Sequence, residues 1–185
     1  MLELIKPTLD TLPSYRDALE RGWSPDNTSD AAIARELDAI ARDSAGFIAL
    51  SEDLEAKGVP IILPDGTQVR RLPGFRRWLW DGDFAGSLSF RFDPEQGEAL
   101  PPTCLGHIGY AVPPWKRGRG YASRGLAMLL MEVRAFPLKF VTITTALDND
   151  ISQKVIVANG GRLVERFLAE PTHGAGERLR WRIDL

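Results

Sequence analysis

The chain has 185 residues, of which 44% are hydrophobic, and a formal net charge of −2. This length fits one domain with a full core, because single domains commonly contain about 100–200 residues. The charges are mixed along the sequence, so there is no long basic surface for DNA or RNA, and nucleic acid is not an expected partner.

Neither a membrane anchor nor a metal site is indicated. No apolar run approaches the ~20 residues that span a bilayer, and the N-terminal segment lacks the apolar core of a signal peptide. We therefore expect a cytoplasmic protein with no membrane partner. One cysteine, Cys104, and two histidines, His107 and His173, allow no internal disulfide and supply few zinc ligands, so we predict no metal.

The first third of the chain is predicted to be mostly helical after a short opening strand. Pro13 marks the start of a first helix and Gly22 follows its end. A second helix has Thr28 or Ser29 as its N-cap, and apolar residues then recur at helical spacing. The pattern over residues 46–58 favours a third, short helix.

The middle of the chain changes to a period of two. Alternation from Phe84 to Phe92, preceded by the turn residues Asp81-Gly82, predicts an antiparallel hairpin. The prolines between residues 93 and 103 indicate a loop, and a new strand follows in the segment GHIGYAVPP.

The second half alternates strands and helices before two closing strands. A helix from Ala122 is ended by Pro137, KFVTITTAL is a buried strand, and the next helix closes at Asn159-Gly160-Gly161. The predicted fold class is α/β (α+β), with a mixed, mostly antiparallel central sheet flanked by helices. The crossover over residues 103–147 is the one place where we expect a parallel strand pair, and ligands bind at the carboxyl ends of such strands.

The segment KRGRGYAS joins a strand to the long helix and has the properties of an anion site. Gly118 and Gly120 allow positive φ, and the first-turn N–H groups of a helix that begins near Tyr121 have no acceptor within that helix. The helix dipole contributes about 0.3–1 kcal/mol to binding of a negative charge. Three basic side chains add positive charge at the same point: Lys116, Arg117 and Arg119. We therefore predict a phosphate-bearing ligand.

Two other interpretations of this junction stay open at this point. It could be a plain turn between a strand and a helix, with its basic residues merely solvated. It could also be a nucleotide site, but the P-loop pattern G-x-x-x-x-G-K-[ST] is missing, and Ser123 replaces the third glycine of G-x-G-x-x-G. The nucleotide interpretation is therefore disfavoured.

The run Arg117-Gly118-Arg119-Gly120-Tyr121-Ala122 fits Q/R-x-x-G-x-G/A. It resembles the acyl-CoA signature of the GCN5-related N-acetyltransferase (GNAT) superfamily. Residues 148–161 resemble the motif D-N-x-x-S-x-K-V-I-x-x-N-G-G of bacterial acetyltransferases in that superfamily. The likeness extends from Leu79 to about Phe167 and implies the acyl-CoA N-acyltransferase fold.

The resemblance implies a single domain over residues 1–185. Residues 1–75 would form a variable acceptor side, and residues 76–185 would form the acyl-CoA-binding core. The implied function is transfer of an acetyl group from acetyl-CoA, a co-substrate, to an amine by direct attack in a ternary complex. The acceptor would be a small-molecule amine or a protein amine, and exposed edge strands would favour a homodimer.

The resemblance also implies roles for individual residues. Val112 would bond the pantetheine arm, and Asn149 with Ser152 would approach the pantetheine or the thiol. Asn149 and Ser152 also fit a plainer interpretation, as a helix cap and a first-turn polar residue. The residues whose amides would bind the pyrophosphate are Arg117, Gly118, Arg119, Gly120, Tyr121 and Ala122.

The catalytic groups are less clearly marked. Many superfamily members carry a tyrosine acid seven residues after the asparagine, where this chain has Ile156. His107 is a candidate base, because an imidazole with a pKa of ~6.5 can accept a proton from an ammonium group, although a strand histidine is more often structural. Ser152 is the second candidate catalytic residue, and Cys104 is disfavoured as an acyl carrier. The alternative function is a non-catalytic acyl-CoA-binding or interaction module.

Overall fold

The computed structural model describes residues 1–26, 31–62, 66–169 and 176–185. The proposed cap residues Thr28 and Ser29, and His173, lie outside the described residues. The helices are α1 Leu12–Glu20, α2 Ala32–Arg42, α3 Ser44–Ala49, α4 Tyr121–Val133 and α5 Asp150–Val157. The strands are β1 Glu3–Ile5, β2 Glu52–Asp53, β3 Ile61–Ile62, β4 Gln68–Val69, β5 Gly74–Trp80, β6 Phe84–Arg91, β7 Ile108–Ala111, β8 Phe140–Ala146, β9 Arg162–Ala169 and β10 Gly176–Asp184. No described helix has the length and apolar character needed to cross a bilayer.

The main sheet has the order β1-β5-β6-β7, and β2 pairs with the same strand as β1. All its ladders are antiparallel, which confirms the predicted hairpin between β5 and β6. The third predicted helix is shorter than expected, because α3 ends at Ala49. Glu52 then pairs with Phe75, so the chain adds a strand to the sheet at this point.

A second sheet has the order β8-β10-β9 and is also antiparallel. The predicted parallel pair is wrong as a ladder, since β7 and β8 form none in the described part of the chain. They meet where the His107 amide donates to the Thr142 carbonyl over 2.8 Å. The Thr142 amide donates to His107 Nδ1 over 3.0 Å. It is therefore not available for the next backbone hydrogen bond of a β-ladder. The two sheets therefore part beyond this contact.

Two cores cover opposite faces of the main sheet. Leu79 belongs to the core that α4, α5 and the second sheet share, whereas its neighbour Trp78 belongs to the core under α1 and α2. This alternation follows from the period of two along a strand. The boundary between residues 75 and 76, drawn from the sequence, falls inside β5. Both parts of the chain thus contribute to the same strand.

Candidate active site

The glycine-rich junction connects β7 to α4 through a short 3-10 turn, Pro114–Lys116. Gly120 is the N-cap of α4 with φ of 70°, and Gly118 has φ of 76°. A Cβ at either position would meet no atom within 4 Å, so the glycines are required by backbone conformation and the space beside them is open. The junction therefore presents bare backbone at a helix N-terminus.

The backbone amides of this junction are largely unpaired. The Arg117 amide donates to the Pro114 carbonyl over 3.3 Å, so the first amide of the expected anion site is used within the turn. The next six amides, from Gly118 to Ser123, have no hydrogen-bond partner among the described residues; the Arg124 amide is the next to be paired, with the Gly120 carbonyl. A row of exposed donors at a helix N-terminus can accept an anion.

The three basic residues of the junction differ in their pairing. Lys116 Nζ lies 2.7 Å from Asp81 Oδ1, and the Tyr121 hydroxyl donates to Asp81 Oδ2 over 2.7 Å. Burial alone would raise the pKa of the Asp81 carboxyl, but the hydrogen bonds from Lys116 and Tyr121 lower it below its ordinary value. Lys116 therefore anchors the junction, and the exposed charges are those of Arg117 and Arg119.

The edge of β7 that faces β8 carries no ladder in the described residues, whereas its other edge pairs with β6. Val112 directly follows this strand, and its carbonyl accepts a hydrogen bond from Arg117 Nε over 3.1 Å. Its side chain packs against the core that α4, α5 and the second sheet share. Backbone groups along the open edge can pair with an extended ligand, as they would with another strand.

Asn149 and Ser152 are brought together at the start of α5. Asn149 is the N-cap, and its Oδ1 accepts from the Ser152 amide over 3.1 Å. The cap interpretation therefore holds for this oxygen. The Asn149 side-chain NH₂ has no hydrogen-bond partner among the described residues, so it remains an available donor.

Tyr110 is not among the predicted site residues. Its hydroxyl lies 2.7 Å from Ser152 Oγ and 3.2 Å from the Ser152 carbonyl oxygen. Burial raises the pKa of the Tyr110 phenol to about 12, although the hydrogen bond with Ser152 opposes this change. No local sequence signal places Tyr110 against a helical residue that follows it by 42 positions.

His107 lies in a structural environment. Its side chain is completely buried, and Nδ1 accepts from the Thr142 amide. Burial first, and the nearby Arg91 charge second, lower the pKa of this imidazole to about 4. Thr142 lies near the start of β8, whereas Asn149 follows its end, so the structure does not bring His107 to the Asn149–Ser152 pair. The packing favours the structural interpretation over the catalytic one.

Ile156 is completely buried in the core that α4, α5 and the second sheet share. Many superfamily members have a tyrosine at this position. Three residues later, Asn159 Nδ2 donates to the carbonyls of Ser123 and Val155 over 3.2 and 2.8 Å. The end of α5 is thereby fastened to the first turn of α4, where the unpaired amides lie. This role explains why an asparagine precedes the two glycines of the motif.

Residues 35–160, more than half of the chain, match the sequence profile described as "Acetyltransferase (GNAT) family". The chain belongs to the acetyltransferase (GNAT) family. Its membership confirms the resemblance drawn from the glycine-rich run and the D-N-x-x-S motif. No curated protein matches this GNAT chain by sequence.

Solved structures similar to this GNAT chain include three acetyltransferases. The microcin C7 self-immunity acetyltransferase MccE, in complex with acetyl-CoA and AMP, has a TM-score of 0.65 at 14% identity, covering 100% of this chain and 92% of MccE. RimL, a ribosomal L7/L12 alpha-N-protein acetyltransferase in complex with coenzyme A, has a TM-score of 0.61 at 17% identity, with 100% and 94% covered. A ribosomal-protein-S5-alanine acetyltransferase from Vibrio fischeri has a TM-score of 0.62 at 13% identity, with 99% and 92% covered.

These similarities show that the GNAT chain has the acyl-CoA N-acyltransferase fold, as the sequence predicted. The family match identifies it as an N-acetyltransferase. Its acyl donor is acetyl-CoA and its acceptor is an amine.

Proposed function

We propose that the protein transfers the acetyl group of acetyl-CoA to its acceptor by direct attack of the amine within a ternary complex. The observation that carries this proposal is the row of unpaired amides from Gly118 to Ser123. These donors and the positive end of the α4 dipole favour binding of a pyrophosphate. Arg117 and Arg119 add exposed positive charge, while Lys116 stabilises the junction through Asp81.

The pantetheine arm is proposed to lie along the open edge of β7. Val112 and its neighbours offer backbone groups there, because β7 forms no ladder with β8 in the described residues. The free NH₂ of Asn149 adds a side-chain donor on the opposite wall of the cleft. The arm would thus replace hydrogen bonds that a continuous sheet would make between its own strands.

The acyl end of the substrate is proposed to lie near Ser152. As the amine nitrogen forms the C–N bond, the C–S bond breaks and its electron pair passes to sulfur. A thiol with a pKa of ~8.5 is a tolerable leaving group, so a hydrogen bond from the Ser152 hydroxyl assists its departure. The proton that the amine loses passes through water, because the buried His107 does not reach this end of the cleft.

The acceptor is proposed to be a small-molecule amine or a protein amine, bound on the side of the sheet built by residues 1–75. RimL and the Vibrio fischeri structure are named for acetylation of ribosomal proteins, which supports testing a protein N-terminus. A homodimer is also proposed, since edge strand β9 exposes large apolar side chains, among them Leu163 and Leu168. We propose a cytoplasmic location, in keeping with a single free cysteine.

The test is release of free coenzyme A thiol from acetyl-CoA across a panel of amines. The panel contains a simple alkylamine, a free amino acid, an aminoglycoside and a peptide with a free N-terminus. We expect at least one amine to accelerate thiol release above hydrolysis, with an acetylated product of the matching mass. Saturable binding of coenzyme A without amine-dependent thiol release would instead favour a non-catalytic acyl-CoA-binding module.

A further inference from the structure

We propose that Tyr110 is a positioning residue of the acetyl transfer, whose hydroxyl holds Ser152 Oγ so that the Ser152 proton is directed to the thioester sulfur. The inference rests on the proposed function, and it adds a residue that the GNAT motifs in this chain do not contain. It also addresses a chemical problem of this chain, because α5 carries the buried Ile156 where many relatives carry a tyrosine.

The position of Tyr110 gives the first argument. It lies in β7, the edge strand of the main sheet, while Ser152 lies in the first turn of α5, which follows β8 of the second sheet. The 2.7 Å contact between the Tyr110 hydroxyl and Ser152 Oγ therefore crosses the cleft between the two sheets. A ligand that follows the open edge of β7 from the glycine-rich junction must pass this contact.

The hydrogen-bond geometry gives the second argument. A phenol has one proton to donate, and Tyr110 has two acceptors in reach, Ser152 Oγ at 2.7 Å and the Ser152 carbonyl at 3.2 Å. Either hydroxyl can donate in the 2.7 Å contact, and the proposal takes the phenol as the donor to Oγ. With a lone pair of Oγ occupied in this way, the Ser152 proton is free to donate to another acceptor.

The position of Ser152 within a helix gives the third argument. A serine hydroxyl in a helix commonly donates back to the carbonyl four residues earlier, here Asp148, and its proton is then unavailable to a ligand. Ser152 makes no such bond in the described structure, whereas its Oγ contacts Tyr110. Removal of the Tyr110 hydroxyl would release Oγ to rotate toward the helix backbone.

The acidity of Tyr110 separates a positioning role from a general-acid role. Burial raises the pKa of Tyr110 to about 12, while a coenzyme A thiol ionises near 8.5. Full proton transfer from this phenol to the departing thiolate would therefore be unfavourable. A neutral phenol at every working pH is instead a constant hydrogen-bond donor to Ser152.

The step balances without a proton from tyrosine. The C–S bond breaks with its electron pair on sulfur, and the Ser152 hydroxyl donates a hydrogen bond to the developing thiolate. The surplus proton of the attacking amine passes to water, from which the thiolate is protonated. Tyr110 and Ser152 are unchanged at the end of the reaction.

The experiment compares Tyr110→Phe, Ser152→Ala and the double variant by calorimetric titration with coenzyme A and by steady-state thiol release from acetyl-CoA. The amine is the one in the panel above that gives the fastest wild-type release, or water if none exceeds hydrolysis. A matched control is Ser44→Ala, which removes a serine hydroxyl bonded to the Ile40 carbonyl at 2.7 Å in another part of the chain. Thermal unfolding checks that each variant is folded.

We expect Tyr110→Phe to lower kcat about tenfold, the effect of one hydrogen bond of about 1.4 kcal/mol in the transition state. The Kd for coenzyme A and the KM for acetyl-CoA should stay within about twofold. The double variant should be no slower than Ser152→Ala, since Tyr110 acts through Ser152. With the selenium analogue of acetyl-CoA, whose leaving group needs less stabilisation, the Tyr110→Phe defect should shrink, and Ser44→Ala should match wild type throughout.

A wild-type kcat in Tyr110→Phe, or losses that multiply in the double variant, would overturn the inference while leaving the proposed function intact. An equal loss of coenzyme A affinity and rate would assign Tyr110 to substrate binding and would also overturn it. A wild-type protein that binds no coenzyme A would contradict the proposed function, and the inference would fall with it.

Discussion

Two regions of this molecule differ in whether their polar groups have hydrogen-bond partners within the protein. Under the N-terminal helices, the Arg76 guanidinium donates to both Glu36 carboxylate oxygens at 3.1 and 3.0 Å, and the Tyr15 hydroxyl donates to Glu36 at 2.9 Å. At the glycine-rich junction, the amides from Gly118 to Ser123 have no protein partner among the described residues. The first region pairs its polar groups within the protein, whereas the second leaves backbone donors open for the ligand that we propose.

The two regions differ in how clearly their roles are visible in the sequence. Glu36 and Arg76 stabilise the docking of α2 on β5, a task that many residue pairs can perform. The junction must expose backbone donors at positive φ, a task that favours glycine at Gly118 and Gly120. The need for exposed donors at positive φ therefore leaves a glycine pattern in the sequence. The Glu36–Arg76 ion pair leaves no such pattern.

The largest predicted effect concerns Gly120. It separates a glycine that keeps the anion site open from a glycine that is needed only for its positive φ. Gly120→Leu should raise the Kd for coenzyme A from the micromolar range to beyond millimolar, a loss of about 4 kcal/mol, because a side chain would fill the anion site. The matched control is Gly22→Leu, since Gly22 also has positive φ, 85°, and open space around it. Both variants should lose about 1–2 kcal/mol of stability from backbone strain, but only Gly120→Leu should lose binding. Equal Kd values in the two variants would contradict the site assignment.

The next effect concerns His107, whose hydrogen bonds with Thr142 join the two sheets. The pKa of His107 is lowered to about 4 in the folded protein, from about 6.5 in the unfolded chain. Its stabilising contribution is therefore present above pH 6.5 and is lost as the pH falls through 4, amounting to about 3 kcal/mol. His107→Gln should flatten the dependence of unfolding free energy on pH between 7 and 4. Parallel pH curves for wild type and variant would show that His107 does not contribute this term.

A third prediction tests the ion pair between Glu36 and Arg76 under the N-terminal helices. Glu36→Gln leaves the partly buried Arg76 without its carboxylate and should lower the unfolding free energy by about 2 kcal/mol, less than for a fully buried pair. The Kd for coenzyme A should not change. The control Glu165→Gln removes an exposed partner of Arg180 and should cost at most about 0.5 kcal/mol. A change in coenzyme A affinity for Glu36→Gln would show that the two regions are coupled.

The sequence predicted the main helices and strands and the glycine-rich junction, but not the short strands β2, β3 and β4 or the contacts that join distant segments. The loss of the parallel pair arises because the His107 imidazole takes the Thr142 amide, 35 residues away. The neutralisation of Lys116 by Asp81 also joins segments 35 residues apart. Periodicity and turn chemistry are local signals, so neither pairing could be predicted from them.

The smallest effect concerns the exposed charge at the junction. Arg119→Gln should weaken coenzyme A binding about threefold at low salt, and the difference should fade in ~0.5 M salt, as expected for an exposed cation. The control Arg42→Gln removes an exposed arginine at the end of α2 and should leave the Kd unchanged. A loss that persists at high salt would indicate a buried, geometry-specific contact instead.

The most direct measurement is an amide NMR titration of the ¹⁵N-labelled protein with coenzyme A. The amide signals of Gly118 to Ser123 should shift on saturation, and those of Gly22 and Gly82 should not. Saturable coenzyme A binding that left the Gly118–Ser123 amides unmoved would contradict this expectation, because the pyrophosphate would then be bound elsewhere.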